Sequence, residues 1–153
     1  MSRQDDIPES PCIGTAMRKA SRRLSQLYDK AIAPAGLRGT QFSILSELER
    51  RSKSPPTMSE LAEALVMDRS ALGHNLRPLE REGLIALESS DADRRRRLVV
   101  VTALGRTKYK EARRLWRNAQ ERFESVYGAS ATAELRGVLL GIAHEERLTR
   151  LED

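Results

Sequence analysis

The chain has 153 residues, with 27 Lys and Arg against 22 Asp and Glu and a formal charge of +5, enough length for one domain or two small lobes sharing a core. No run approaches the roughly 18 apolar residues of a membrane span and the first ten residues are polar where a secretory signal is apolar, so a cytoplasmic protein with no membrane partner is expected. One cysteine, Cys12, and two separated histidines, His74 and His144, leave no disulfide framework, zinc-ligand spacing or catalytic triad, and no glycine loop cradles a phosphate; neither an enzyme, a metal nor a cofactor is expected.

Residues 1–10 read as a disordered tail. From Cys12 to Ala33 the apolar positions Ile13, Ala16, Met17, Ala20, Leu24, Leu27 and Ala31 recur at steps of three and four, which predicts an amphipathic helix that Pro34 and Gly36 stop. A second helix is predicted from Gly39 to about Arg51, with Phe42, Leu45 and Leu48 on one stripe, followed by a loop from Ser52 to Pro56. Thr57 and Glu60 fit a capping box that opens a short helix, Met58 to Leu65. After Val66 and Met67, Asp68 is a good N-cap for a helix from Arg69 to Glu82, with Leu72, Leu76 and Leu79 as its buried stripe and Gly83 as its stop. Pro78 leaves the His74 carbonyl without its donor and predicts a bend after Arg77. Leu84 to Glu88 and Leu98 to Val101 are short apolar runs on either side of Ser89 to Arg97, which is mostly charge and reads as the tip of a hairpin. Thr102 caps a long helix from Ala103 to about Tyr127, with Leu104, Ala112, Leu115, Trp116, Ala119, Phe123 and Val126 at helical spacing. Gly128 breaks it, and Ser130 or Thr132 starts a last helix carrying Leu135, Val138, Leu139 and Ile142.

Two helices joined by a tight turn and followed by a hairpin make a winged helix-turn-helix, a mostly α fold of about six helices with a small β-hairpin wing. The second helix of such a pair enters the major groove, so the face opposite its leucines, with Ser70, Gly73, His74 and Arg77, is the one that meets bases. Ser70 donates or accepts, Arg77 forks onto guanine, His74 reads a base or a phosphate, and Gly73 lets the helix approach closely. At the hairpin tip, Asp93 is placed to pair with and direct an arginine of the run Arg94, Arg95, Arg96 and Arg97 toward the minor groove. The placement of charge agrees: from Arg69 to Arg117 there are 13 basic and 6 acidic residues, while the rest of the chain holds 14 and 16. A positive excess confined to one third of the chain is the footprint of a polyanion. Only Tyr109 and Trp116 supply aromatic faces in that third, which disfavours RNA; a winged-helix protein-interaction module remains the other reading.

The run Asp68-Arg69-Ser70-Ala71-Leu72, then Leu76, Leu79, Glu80 and Gly83-Leu84-Ile85, and the wing pattern Asp93-Arg94-Arg95 ending in Val101-Thr102, resemble the MarR family of bacterial transcription regulators from about Cys12 to His144. The resemblance implies DNA contacts from Arg69, Ser70, Ala71, Gly73, His74, Arg77, Asp93, Arg94, Arg95 and Arg96. It also implies an intertwined homodimer built from helices in 11–36 and 128–150, a DNA-binding lobe at 37–101 and a linking helix at 102–127. Two recognition helices about a two-fold axis would read a pseudo-palindromic double-stranded operator with half-sites about 34 Å apart, most often as a repressor. A small, aromatic effector would bind between dimer layer and lobe, with Met17, Tyr28, Phe42 and Trp116 as candidate lining, and shift the spacing it prefers. The resemblance extends to a peroxide-sensing branch with a cysteine near the start of its first helix, which makes Cys12 a candidate redox residue and a thiol-based regulator the alternative.

Overall fold

A computed structural model describes residues 11–150; the tail expected at residues 1–10 lies outside the described residues. Helix α1 (Ile13–Ile32) runs into a single 3-10 turn (Ala33–Ala35), and α2 (Gly39–Arg50), α3 (Met58–Ala64) and α4 (Arg69–Arg81) follow. Strands β1 (Ile85–Ser89) and β2 (Arg97–Val101) form one antiparallel hairpin, from Ile85 opposite Val101 to Ser89 opposite Arg97. Helix α5 (Ala103–Tyr127), α6 (Ala129–Ala143) and a 3-10 turn (Glu146–Leu148) complete a mostly helical winged helix-turn-helix, the expected fold class.

Most boundaries are set by local polar chemistry. Gly36, at φ 72°, ends the turn after α1 in a conformation open to glycine. The Thr57 hydroxyl accepts the Glu60 N–H at 3.3 Å while the Glu60 carboxylate accepts the Thr57 N–H at 2.7 Å, the capping box foreseen. Asp68 caps α4 through the Ala71 N–H at 2.7 Å, and Thr102 caps α5 through the Gly105 N–H at 3.0 Å. One boundary differs from expectation. Helix α6 begins earlier than Ser130 or Thr132, directly after Gly128 at φ 89°, and the Thr132 hydroxyl instead donates back to the Gly128 carbonyl at 2.7 Å. Helix α4 runs through Pro78 to Arg81, within the expected range.

The core sits in the lobe. Ile44, Leu45 and Leu48 of α2, Leu61 of α3, Leu72, Leu76 and Leu79 of α4, and Ile85 and Val99 of the hairpin are buried together with Ile32, Leu84 and Ala112. The loop before α3 adds a third edge to the hairpin: Pro56 accepts the Val99 N–H at 2.8 Å and Thr57 bridges to Leu98. Helix α5 joins the lobe at a backbone contact, because a Cβ on Gly105 would lie 1.9 Å from the Leu84 carbonyl oxygen. Farther along, Arg106 pairs with Glu49 of α2 at 2.8 Å. Helix α5 has an exposed apolar residue at each end, Leu104 and Val126, at positions expected to be covered.

Candidate nucleic-acid interface and effector cavity

Burial of Leu72, Leu76 and Leu79 turns the opposite face of α4 outward, and there Arg69, Ser70, His74 and Arg77 are exposed. Gly73 lies on the same side, with nothing within 4 Å of the position its Cβ would take, so the close approach it permits is toward solvent. Ala71 is half-buried and belongs to the cap: its N–H is held by Asp68, and its carbonyl accepts from the Asn75 side chain at 2.8 Å.

Between this helix and the wing lies an open cleft of about 500 Å³. Its walls bring together Arg69, Arg95 and Arg96 of the expected contacts with Arg97 of the same arginine run, and add Ser59 and Glu60, the latter expected only as a helix cap. Arg94 lies on the exposed tip outside the cleft walls. Asp93 corrects one expectation. Its carboxylate accepts the Arg95 backbone N–H at 2.9 Å and, among the described residues, pairs with no guanidinium. A short side chain reaches the backbone two residues ahead more readily than a long flexible side-chain tip, so Asp93 shapes the turn. The ion pair at the wing is Arg96 with Glu60, at 3.3 Å.

A second space, of about 1020 Å³, opens between the terminal helices α1 and α6 and the lobe. Met17, Tyr28, Phe42 and Trp116 all line it. Phe42 stacks against Tyr109 and Trp116, with ring centroids 5.5 and 6.0 Å away, which gives one wall a continuous aromatic surface. The Tyr28 hydroxyl donates to Gln120 at 2.9 Å, and Gln120 donates to Glu124 at 3.0 Å. Partial burial pushes the Tyr28 phenol above its ordinary range, partly opposed by Arg136, so it is a neutral donor at pH 7. Helix α6 was not expected as a wall, yet it supplies Leu135, Arg136, Leu139 and Leu140. Arg38 and Arg136 are the cavity's cations, and Asp29, another wall residue, is engaged through the Gly39 N–H at 2.6 Å. Leu65 and Met67, from the turn between α3 and α4, close the side nearest the recognition helix.

Cys12 is the exposed residue just before α1, and hydrogen bonding from the side chain and backbone of Thr15 holds its thiol below the ordinary range. No helix among the described residues is long and apolar enough to cross a membrane.

A recognition helix with an outward polar face, flanked by an arginine-lined wing, defines the winged helix-turn-helix class of DNA-binding proteins. The sequence model of the MarR family matches residues 35–96. A Mycobacterium tuberculosis transcriptional regulator, MosR, solved in complex with DNA, is 32% identical over 92% of this chain and 99% of its own, with a TM-score of 0.79. The transcriptional repressor CouR bound to a 23-mer DNA duplex is 27% identical over 87% of this chain and 93% of its own, with a TM-score of 0.79. CouR bound to p-coumaroyl-CoA is 25% identical over 88% and 93%, with a TM-score of 0.77. No curated protein sequence matches the chain. The chain belongs to the MarR family: it is a DNA-binding transcriptional regulator and not an enzyme.

Proposed function

We propose that the chain acts as a homodimer that represses transcription from a pseudo-palindromic operator and is released by a small aromatic effector. Residues 37–101 form the reading lobe, 102–127 the linking helix, and 11–36 with 128–150 the dimer layer. Arg69, Ser70, Gly73, His74 and Arg77 meet the major groove, Arg94, Arg95 and Arg96 meet the backbone and minor groove, and Ala71 and Asp93 hold the local geometry. Support for the dimer comes from apolar residues that a single chain leaves open: Ile13 of α1 is 70% exposed and Val138 of α6 is 60% exposed.

The observation that carries the regulatory reading is that Leu65 and Met67 share one cavity with Met17 and Tyr28 of α1. A ligand there touches the dimer layer and the turn that aims the recognition helix, so it favours one spacing of the two helices over another. Phe42 and Trp116 suit an aromatic ring, and Arg38 and Arg136 suit a carboxylate or an acidic thioester, the class to which the ligand of CouR belongs. The test is selection of duplexes from random sequence, followed by titration of the selected operator with and without aromatic acids and p-coumaroyl-CoA. An inverted repeat should emerge, affinity should fall about a thousandfold between 50 and 200 mM salt if six or so phosphates are neutralised, and an effector should raise the melting temperature while releasing DNA. Duplex binding unchanged by both Arg77→Ala and Arg95→Ala would sink the DNA contacts assigned here.

A second signal, oxidation of Cys12, is favoured by its exposure and its lowered thiol. If Cys12 is the sensor, peroxide releases operator from the wild type and leaves Cys12→Ser bound; equal release from both excludes it.

A further inference from the structure

The cleft between α3, the first residue of α4 and the wing is lined by four arginines, Arg69, Arg95, Arg96 and Arg97, and by one acidic residue, Glu60, which Arg96 reaches at 3.3 Å. Both oxygens of that carboxylate are used. One accepts the Thr57 N–H at 2.7 Å and closes the capping box, and the other accepts from Arg96 at 3.3 Å. The base of the wing is already fixed to the same loop by the Val99 N–H on Pro56 and the bridge from Thr57 to Leu98. Backbone therefore holds the base, while the Glu60–Arg96 pair ties the tip. Hydrogen bonds from the Thr57 backbone and hydroxyl keep the Glu60 carboxyl below its ordinary range, so it is charged at pH 7. The cap itself does not require that charge, since a glutamine serves equally in a capping box. A carboxylate that occupies a guanidinium must be displaced before a phosphate can use it, which opposes binding.

We propose that Glu60 is a positioning residue for the wing, holding Arg96 in the cleft until a phosphate takes its place, and that this exchange suppresses binding to duplex of arbitrary sequence. The inference rests on the wing contacting DNA. In the free protein Arg96 is partly neutralised by Glu60; on DNA it trades one anion for another, so the pair with Glu60 must be given up before the phosphate pair is gained. Binding of duplex is then weaker than four arginines alone would give.

The test uses the full chain and a random-sequence 24-bp duplex, with affinity read by fluorescence anisotropy across a salt series for the wild type, Glu60→Gln, Arg96→Gln and the double variant. Glu60→Gln should bind about three- to fivefold tighter, the range of an exposed ion pair, with an unchanged melting temperature because the cap survives. Arg96→Gln should bind more weakly, with a salt slope shallower by about one. In the Arg96→Gln background, adding Glu60→Gln should change affinity less than twofold. A full gain in that background would make Glu60 a bulk charge and overturn the inference, as would no gain in either background. Wild-type affinity and slope in Arg96→Gln would instead overturn the wing contact on which the inference rests.

Discussion

Helix α4 and helix α6 both carry leucines and aliphatic neighbours at helical spacing, and the two meet opposite fates. Leu72 and Leu79 of α4 have no exposed surface, because α2, α3 and the hairpin close around them. Along α6, Leu135, Val138, Leu140 and Ile142 are exposed, and the buried residue is Thr132, turned back on its own helix. The difference teaches where the chain completes itself. The reading lobe satisfies its apolar surface within one chain, whereas the terminal helices hold theirs for something outside it. Helix α5 spans both conditions, with Gly105 pressed on the backbone of Leu84 at one end and Val126 in the open at the other.

Substitutions on the two sides of this divide should therefore differ in their dependence on protein concentration. Leu72→Ala removes a fully buried side chain from the lobe and should cost about 2–5 kcal/mol, read as a fall in urea midpoint relative to the wild type that is of the same size at low and high protein concentration. Gly105→Ala belongs with it, since its methyl group cannot coexist with the Leu84 carbonyl unless α5 moves. Val138→Glu should leave the lobe folded and instead weaken self-association by on the order of 3 kcal/mol, because it buries an unpaired charge in the proposed dimer layer. Sedimentation would show the shift to monomer, and operator affinity would fall with it. If Val138→Glu changed neither, α6 would have to be covered by something other than a second copy.

What the sequence disclosed follows the same line between local and distant causes. The caps at Thr57, Asp68 and Thr102 act within three residues, so their spacing alone predicts them, and the stripe of α4 is read from its period. Asp93 shows how a correct local signal can be assigned to the wrong partner: the turn was legible, but the choice between a backbone N–H and a guanidinium depends on where Glu60 sits, 36 residues apart from Arg96 in the chain. The same reason hid Arg136 and Leu139 as cavity walls, because the packing of α6 against α5, which brings it to the cavity that α1 lines, has no signature in the period of either helix. Aromatic candidates fared differently. In a chain with 4% aromatic residues, Phe42 and Trp116 fall on the inner stripes of neighbouring helices, and their meeting at 6.0 Å follows from the fold class once the helices are placed.

Within the lobe, the two proposed DNA contacts should separate by type. Arg77→Ala, on the recognition helix, should weaken a selected operator by about five- to a hundredfold and relax preference at one base pair. Arg95→Ala, on the cleft wall, should weaken operator and random duplex together and make the salt slope shallower by about one. Competition binding against both duplexes checks the pair. Equal loss of base preference from both variants would erase the distinction between reading helix and wing.

The smallest effect is expected where the two regions touch. Val66, between α3 and α4, has φ 52°, a left-handed conformation that costs an L residue about 1–2 kcal/mol and that only glycine adopts without penalty. The turn accepts it because the Met67 N–H must reach back to the Ala62 carbonyl at 2.9 Å, and nothing in the identity of a β-branched residue announces such a bend. Its side chain is 57% exposed, so little packing is lost on its removal. Val66→Gly should therefore stabilise the lobe by about 0.5–1 kcal/mol, after the added freedom of glycine in the unfolded chain is subtracted, and raise the melting temperature by a few degrees. Because Leu65 and Met67 on either side line the effector cavity, the same variant should leave operator affinity nearly unchanged while loosening the connection from cavity to recognition helix. A lower melting temperature would mean that Val66 packs against a second chain, and would move this turn from the self-sufficient lobe into the region that a partner completes.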